Sequence, residues 1–345
     1  MARKTNRLFS TTDEEIAQIN PANIELRDDF LDYLETTDHS KTSIVTYKNN
    51  IDIFFVYVLK HCKNKDFVDI KKKDIMSWQG YMVKNGLSPA RIRTIKSTIS
   101  SMSNFIENVL DEEDKWKGFR NIINKIPAPV LTPVRKKTIL KDEQCQELLD
   151  SLVEKGKYQH ACAFALAWAS GRRKSELLRI KRSYINDESL IYGSLYKTPE
   201  KIKTKGRGSK GKALNVYILK TKFKPYFDLW MEEREKLGVP DDIDEIFVSK
   251  RNGEWQPAKT SLLDSYAEYF GKRLNVDFYF HCLRHQFTTA LSLANIPDSI
   301  IQDLIGWESS DMVKLYKDVE VDTQLEKYFS EDGIKQVEAG NLSNL

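Results

Sequence analysis

Three prolines within seven residues, Pro127, Pro129 and Pro133, followed at once by Arg135, Lys136 and Lys137, divide this 345-residue chain. Each proline fixes its own φ, lacks an N–H and biases the residue before it away from helix, so the segment stays extended. A chain of this length is too long for one ordinary core, and two domains are expected. The punctuation predicts a flexible basic N-terminal segment over 1–23 and a helical domain over 24–125. A Pro-rich basic linker over 126–138, a second domain over 139–330 and a C-terminal tail over 331–345 complete the plan.

The first domain reads as four helices. Leu26, Phe30, Leu31 and Leu34 recur at helical spacing, as do Tyr47, Ile51, Phe54, Phe55 and Val58. A third helix is expected from Lys73 to Lys84, and a fourth from Pro89 to Val109 with Ser88 as N-cap and proline at its first position. The second domain starts with a helix at Leu140-Lys141-Asp142-Glu143 and continues into the apolar run Ala161–Trp168, too short for a membrane span and so a buried helix. Gly171 breaks that helix, and another begins near Arg173. Leu190-Ile191-Tyr192 and Leu214–Ile218 carry β-rich composition and flank a basic turn with Gly206, Gly208 and Gly211. From Ser261 the pattern is mostly helical to the end. The fold class expected is mainly α with a small antiparallel β-sheet.

Apolar residues make up 41% of the chain, enough for folded domains, and the net charge of +4 does not announce a polyanion partner. Distribution says more. Lys201, Lys203, Lys205, Arg207, Lys210, Lys212, Lys220 and Lys222 follow one another with no acidic residue among them, which suits a phosphate-facing surface or a solvated charge run. Arg3, Lys4 and Arg7 offer further phosphate contacts. Cys62, Cys145, Cys162 and Cys282 form no paired motif, so no disulfide framework or zinc ribbon is indicated. No segment has the length and apolarity of a signal or membrane span, and a soluble, cytoplasmic protein is expected.

The densest chemistry lies in His281-Cys282-Leu283-Arg284-His285, where helical spacing brings two histidines and an arginine to one side. His281 and His285 have the spacing of a zinc pair, but Cys282 replaces the glutamate of zinc proteases and Arg284 puts a fixed positive charge where a cation would sit. An arginine fork with a neighbouring histidine suits a phosphodiester instead. Downstream, a helix ends at Gly306, and Asp311 is an N-cap candidate for a helix carrying Tyr316. Trp307 and Tyr316 are nine residues apart, on opposite faces of any unbroken helix, so Gly306 must break the chain if both face one site.

Ser170-Gly171-Arg172-Arg173-Lys174-Ser175-Glu176-Leu177, the basic hairpin, His-x-x-Arg-His, Ile-Gly-Trp and a tyrosine nine residues later together resemble the tyrosine recombinases, the phage-type integrases. Single motifs of this kind have structural explanations, since arginines often pair with surface carboxylates and tyrosines often pack cores; their order is what carries the resemblance. It covers residues 24 to 325, implying a helical core-binding (SAM-like) DNA-binding domain plus an α+β catalytic domain. Residue by residue, it implies Arg173, Lys205, His281, Arg284 and Trp307 around a phosphate attacked by Tyr316, with Glu176 and His285 supporting them. Arg172, beside Arg173, occupies a place usually apolar in the family, and Lys203, Lys210 and Lys212 compete with Lys205. Lys203, Arg207, Lys210, Lys212, Arg135, Lys136 and Lys137 are the DNA-binding candidates.

The resemblance further implies cleavage and rejoining of DNA through a 3′-phosphotyrosine, without cofactor, metal or ATP. Its partners would be duplex DNA with a specific site, three further copies in a homo-tetramer, and an accessory factor setting direction; no membrane is involved. The amphipathic stretch Leu325–Val337 suits docking between subunits or capping of its own domain. Two other readings stand beside this one, a DNA-binding regulator of recombinase fold without strand transfer and a type IB topoisomerase-like enzyme.

Overall fold

The computed structural model describes residues 10–131, 138–204, 213–307, 329–330 and 333–334. The chain divides into two compact units at 136/137. The first is built from α1 (Asp13–Ala17), α2 (Pro21–Thr36), α3 (Lys41–His61), α4 (Lys72–Lys84) and α5 (Pro89–Val109). Its helix starts are locally encoded: the side chains of Thr12, Asn20, Ser40 and Ser88 each accept a hydrogen bond from a backbone N–H in the following turn, and Pro21 and Pro89 occupy first positions. Phe30, Phe54, Phe55, Trp78, Ile95 and Ile99 fill the core, with Phe54 and Trp78 meeting edge to face at 4.7 Å between ring centroids.

Two boundaries differ from expectation. The stretch 1–23 was expected to be flexible, but α1 and the start of α2 are ordered within it and Ile19 is buried. Thr12-x-x-Glu15 forms a complete capping box, a signal legible in the sequence. The proline segment also begins as part of the helical unit. Lys96 donates to the Ile126 carbonyl at 2.8 Å, Gln79 to that of Pro127 at 3.0 Å and Arg93 to that of Pro129 at 3.0 Å, so the extended chain runs along α4 and α5.

The second unit contains α6 (Asp142–Glu154), α7 (Tyr158–Ser170), α8 (Lys174–Leu177), α9 (Lys220–Lys236), α10 (Thr260–Leu274), α11 (Phe280–Leu293) and α12 (Asp298–Ile305). Its strands are β1 (Leu190–Ile191), β2 (Leu195–Lys197), β3 (Ile202–Lys203), β4 (Ala213–Leu214), β5 (Tyr217–Leu219), β6 (Val248–Arg251), β7 (Glu254–Pro257), β8 (Phe329–Ser330) and β9 (Gly333–Ile334). The mainly α class with small antiparallel sheets is as expected. α7 is the axis: every residue from Ala161 to Ser170 is buried, and α6, α9 and α11 pack around it. Such all-round apolarity is what a central helix requires.

Among the described residues the strands form one three-stranded antiparallel sheet, β1-β2-β5, and three separate hairpins, β3-β4, β6-β7 and β8-β9. The last two lie where no strand was expected. Asn252-Gly253 closes β6-β7 with both residues at positive φ, the conformation a two-residue turn between twisted strands needs. Leu325–Val337 lies outside the described residues except for β8 and β9. No helix among the described residues is long and apolar enough to cross a membrane.

Gly171, at φ 58°, ends α7, and a Cβ there would stand 2.6 Å from Phe287 Cδ1. Gly156, at φ 63°, has open space around it. Gly156→Ala is expected to cost about 1–2 kcal/mol for the left-handed backbone. Gly171→Ala should cost about 1–3 kcal/mol more for overpacking against α11. Urea unfolding of the two variants side by side checks this, and equal losses would rule out the α7–α11 contact as the constraint.

Candidate active site

The turn at Gly171 delivers two arginines in succession and orients them oppositely. Arg173 is the N-cap of α8, and the buried Glu176 carboxylate accepts from its backbone N–H at 3.3 Å and from its Nη1 at 3.0 Å. The Arg173 side chain stays 31% exposed. Arg172 turns inward and is 1% exposed. Its Nη2 donates to the Leu304 carbonyl at 2.6 Å and the Asn215 carbonyl at 3.2 Å, and Nη1 donates to Ile305 at 3.4 Å. Glu176 lies 3.9 Å from Nη1.

Arg284, on α11, is fully buried and converges on the same place. Nη1 donates to the Gly171 carbonyl at 3.0 Å and Nη2 to the Ile305 carbonyl at 3.2 Å. The last carbonyls of a helix have no partner within it and carry the negative end of the helix dipole, so two guanidiniums are well placed there. α12 ends because Gly306 adopts φ 78°, and the N–H groups of Gly306 and Trp307 then both donate to the Gln302 carbonyl. The break expected at Gly306 is present. It buries Trp307, with the Arg284 guanidinium 5.1 Å from the indole ring centroid.

His281 sits in the first turn of α11, half-buried, with its ring 5.5 Å from that of His285 and nearly perpendicular to it. Burial pushes the His281 pKa down to about 4, helped by the positive charges of Arg284, His285 and Arg173 and opposed by Glu176. The imidazole is therefore neutral at pH 7 and able to take a proton. Among the described residues no group of three histidines, cysteines or carboxylates assembles around this pair as a metal site would require.

The basic hairpin is mounted on the same cluster. β3 and β4 pair Ile202 with Leu214 and Lys203 with Ala213. A Cβ on Gly306 would collide with Leu214, the Asn215 carbonyl accepts from Arg172, and Arg179 donates to the Lys203 carbonyl. Exposed Lys203 thus stands at the base of the turn. Lys205, Arg207, Lys210, Lys212, Arg135, Lys136, Lys137 and Tyr316 lie outside the described residues.

Of the candidates that are described, Arg173, Glu176, His281, Arg284, His285 and Trp307 come together, with Lys203 at the hairpin base. Sequence reasoning missed the part played by Arg172, whose trace in the sequence is a second arginine where an apolar residue is usual. In an NMR titration of the protein without DNA, the His281 ring signals should hold their neutral positions through pH 6.5 and move only on approach to pH 4. A midpoint near 6.5 would mean the imidazole is neither desolvated nor next to the arginines.

Residues 138–322, more than half of the chain, match the phage integrase family, and residues 26–116 match the N-terminal SAM-like domain of phage integrases. The chain is 28% identical over 279 residues to the SPbeta prophage-derived recombinase-like protein YomM of Bacillus subtilis, covering 78% of this chain and 79% of that protein. It is 22% identical over 299 residues to the tyrosine recombinase XerA of Pyrococcus horikoshii, covering 86% and 90%. In fold it is similar to the XerH site-specific recombinase in a post-cleavage complex with a palindromic difH substrate, with TM-score 0.63 and 18% identity over 90% of this chain and 88% of that one. With the glycine-ended helices, the arginine cluster and the histidine of α11 in place, this chain belongs to the phage integrase family and is a tyrosine recombinase.

Proposed function

We propose that this protein cleaves and rejoins DNA at a specific site through a covalent 3′-phosphotyrosine bond, with Tyr316 as nucleophile and no need for metal or ATP. One observation carries the reading: Arg173, His281, Arg284, Trp307 and the stem of a basic hairpin, from well-separated stretches of chain, are gathered around the end of α12. The segment leading to Tyr316 departs from that same end.

In this reading the phosphate approaches from the side where Arg173 and His281 are part exposed. Arg173 and Arg284 offset the negative charge that grows on the non-bridging oxygens of the pentacovalent transition state. Tyr316 Oη bonds to phosphorus as its proton passes to His281, whose basicity rises as that charge builds. The bond from phosphorus to the 5′ oxygen breaks, and the hairpin lysine, Lys205, gives that oxygen a proton. Trp307 packs against Arg284 and holds the start of the nucleophile segment. The freed 5′ hydroxyl then attacks the phosphotyrosine of a partner strand, so bond energy is conserved and no nucleotide is consumed.

The partner is duplex DNA carrying a recombination site, engaged by four copies of the chain, with an accessory factor setting direction. In support, XerH has been solved bound to difH, and lambda integrase as a tetramer bound to a Holliday junction.

A nicked suicide duplex bearing the site should give a covalent protein–DNA adduct on a denaturing gel, unchanged by EDTA. Tyr316→Phe should keep site binding and lose the adduct entirely. An adduct surviving in that variant would assign the nucleophile elsewhere, and EDTA-sensitive cleavage would overturn the metal-free step. Tight binding with no wild-type adduct would favour the regulator; relaxation of plasmids lacking the site would favour the topoisomerase-like reading.

A further inference from the structure

Arg172 has no role in the chemistry proposed above, yet it joins the elements that carry it. One nitrogen, Nη2, donates both to the Leu304 carbonyl at the end of α12 and to the Asn215 carbonyl at the foot of β4. The other, Nη1, donates to the Ile305 carbonyl that Arg284 also reaches. Its own backbone lies between Gly171 and Arg173. Three stretches far apart in sequence are thus bonded to a single planar group: the turn bearing Arg173, the stem of the basic hairpin, and the helix end that leads to Trp307 and Tyr316.

We infer that Arg172 is a positioning residue that holds the hairpin and the end of α12 in one register beside Arg173, so that the hairpin lysine and the nucleophile segment act on one phosphate together. The kinetic part of this inference rests on the strand-transfer reading; the mechanical part does not.

Apolar contact alone would not set that register. Leu214 packs against Gly306, but such contact is non-directional, whereas hydrogen bonds from a rigid fork fix both distance and angle. A leucine at 172 would fill much of the space and leave the Leu304 and Asn215 carbonyls without their Arg172 donor, while the Ile305 carbonyl would keep Arg284. A lysine would keep the charge but offers one nitrogen in place of the two that together reach Leu304, Asn215 and Ile305 from a rigid plane. Burying a guanidinium is costly, and burial lowers the Arg172 pKa to about 10, which still leaves it charged at pH 7. Glu176 and the negative end of α12 offset part of that cost.

The test compares wild type, Arg172→Leu and Arg172→Lys by amide hydrogen exchange, by binding to the site in a gel shift, and by the single-turnover rate of adduct formation on the suicide duplex. In Arg172→Leu, protection of the Gly306 and Trp307 amides and of the β3-β4 ladder should fall together, by about tenfold or more, while α7 and α2 to α5 keep theirs. Site binding should stay within about threefold and adduct formation slow by about tenfold or more, with Arg172→Lys recovering only part of the loss. Loosening of only one of the two elements, or of α7 with them, would overturn the inference, as would full rescue by lysine or an unchanged cleavage rate in a loosened protein. A wild type that binds its site but forms no adduct would defeat the strand-transfer reading and the kinetic part with it, and joint loosening would still decide the mechanical part.

Discussion

The end of α12 is held by buried positive charge. Two arginines meet at the Ile305 carbonyl, one from the turn after α7 and one from α11, and each reaches a further carbonyl of its own. A buried guanidinium is tolerable only when its donors find acceptors, and here backbone carbonyls, most of them at interrupted helix ends, accept from the Nη atoms of both arginines. Those carbonyls are available because two glycines adopt the left-handed conformation, Gly171 at the end of α7 and Gly306 at the end of α12. Each is also closely packed, against Phe287 and Leu214, so backbone conformation and side-chain packing demand the same residue. Helix termination and active-site construction are one event in this fold.

The electrostatics follow from that arrangement. Glu176, itself buried, pairs with Arg173 and lies near Arg172, and its single negative charge does not balance the positive groups around His281. The imidazole responds by remaining neutral far below its ordinary range. A site of this kind resists protonation when empty and becomes a better base when an anion enters, because the anion cancels the field that suppressed it. The proposed proton transfer from tyrosine depends on that reversal.

The helical N-terminal unit is put together on a different principle. Its helix starts are capped by neighbours two or three residues away, and its charged core pair, Arg27 with Asp52 at 2.8 Å, is shared with Lys48 one turn earlier on α3. Local bonds of this sort leave local signatures. Ser88-Pro89 announced α5, whereas Thr12-x-x-Glu15, the equally local signature of α1, stands in polar surroundings that read as a flexible tail. The hairpin turn at Asn252-Gly253 is equally local and equally legible, between short strands without a clear alternation.

Periodicity, glycine position and residue order were enough to place a buried helix at Ala161–Trp168, the breaks at Gly171 and Gly306, and His281 with Arg284 on one helix. Each is a short-range property, set by backbone sterics or by the helical repeat. The division of labour between Arg172 and Arg173 was not available in the same way. Adjacent arginines are chemically identical in a sequence, and only the path of the chain after Gly171 sends one into the carbonyls of α12 and the hairpin and leaves the other half-exposed beside His281. The depressed basicity of His281 likewise depends on burial and on charges brought in from α8 and α11. Long-range packing decides such properties, because a side chain's solvent and partners are fixed by elements well apart in the sequence, as Arg172 is by 43 residues from Asn215 and by 132 from Leu304.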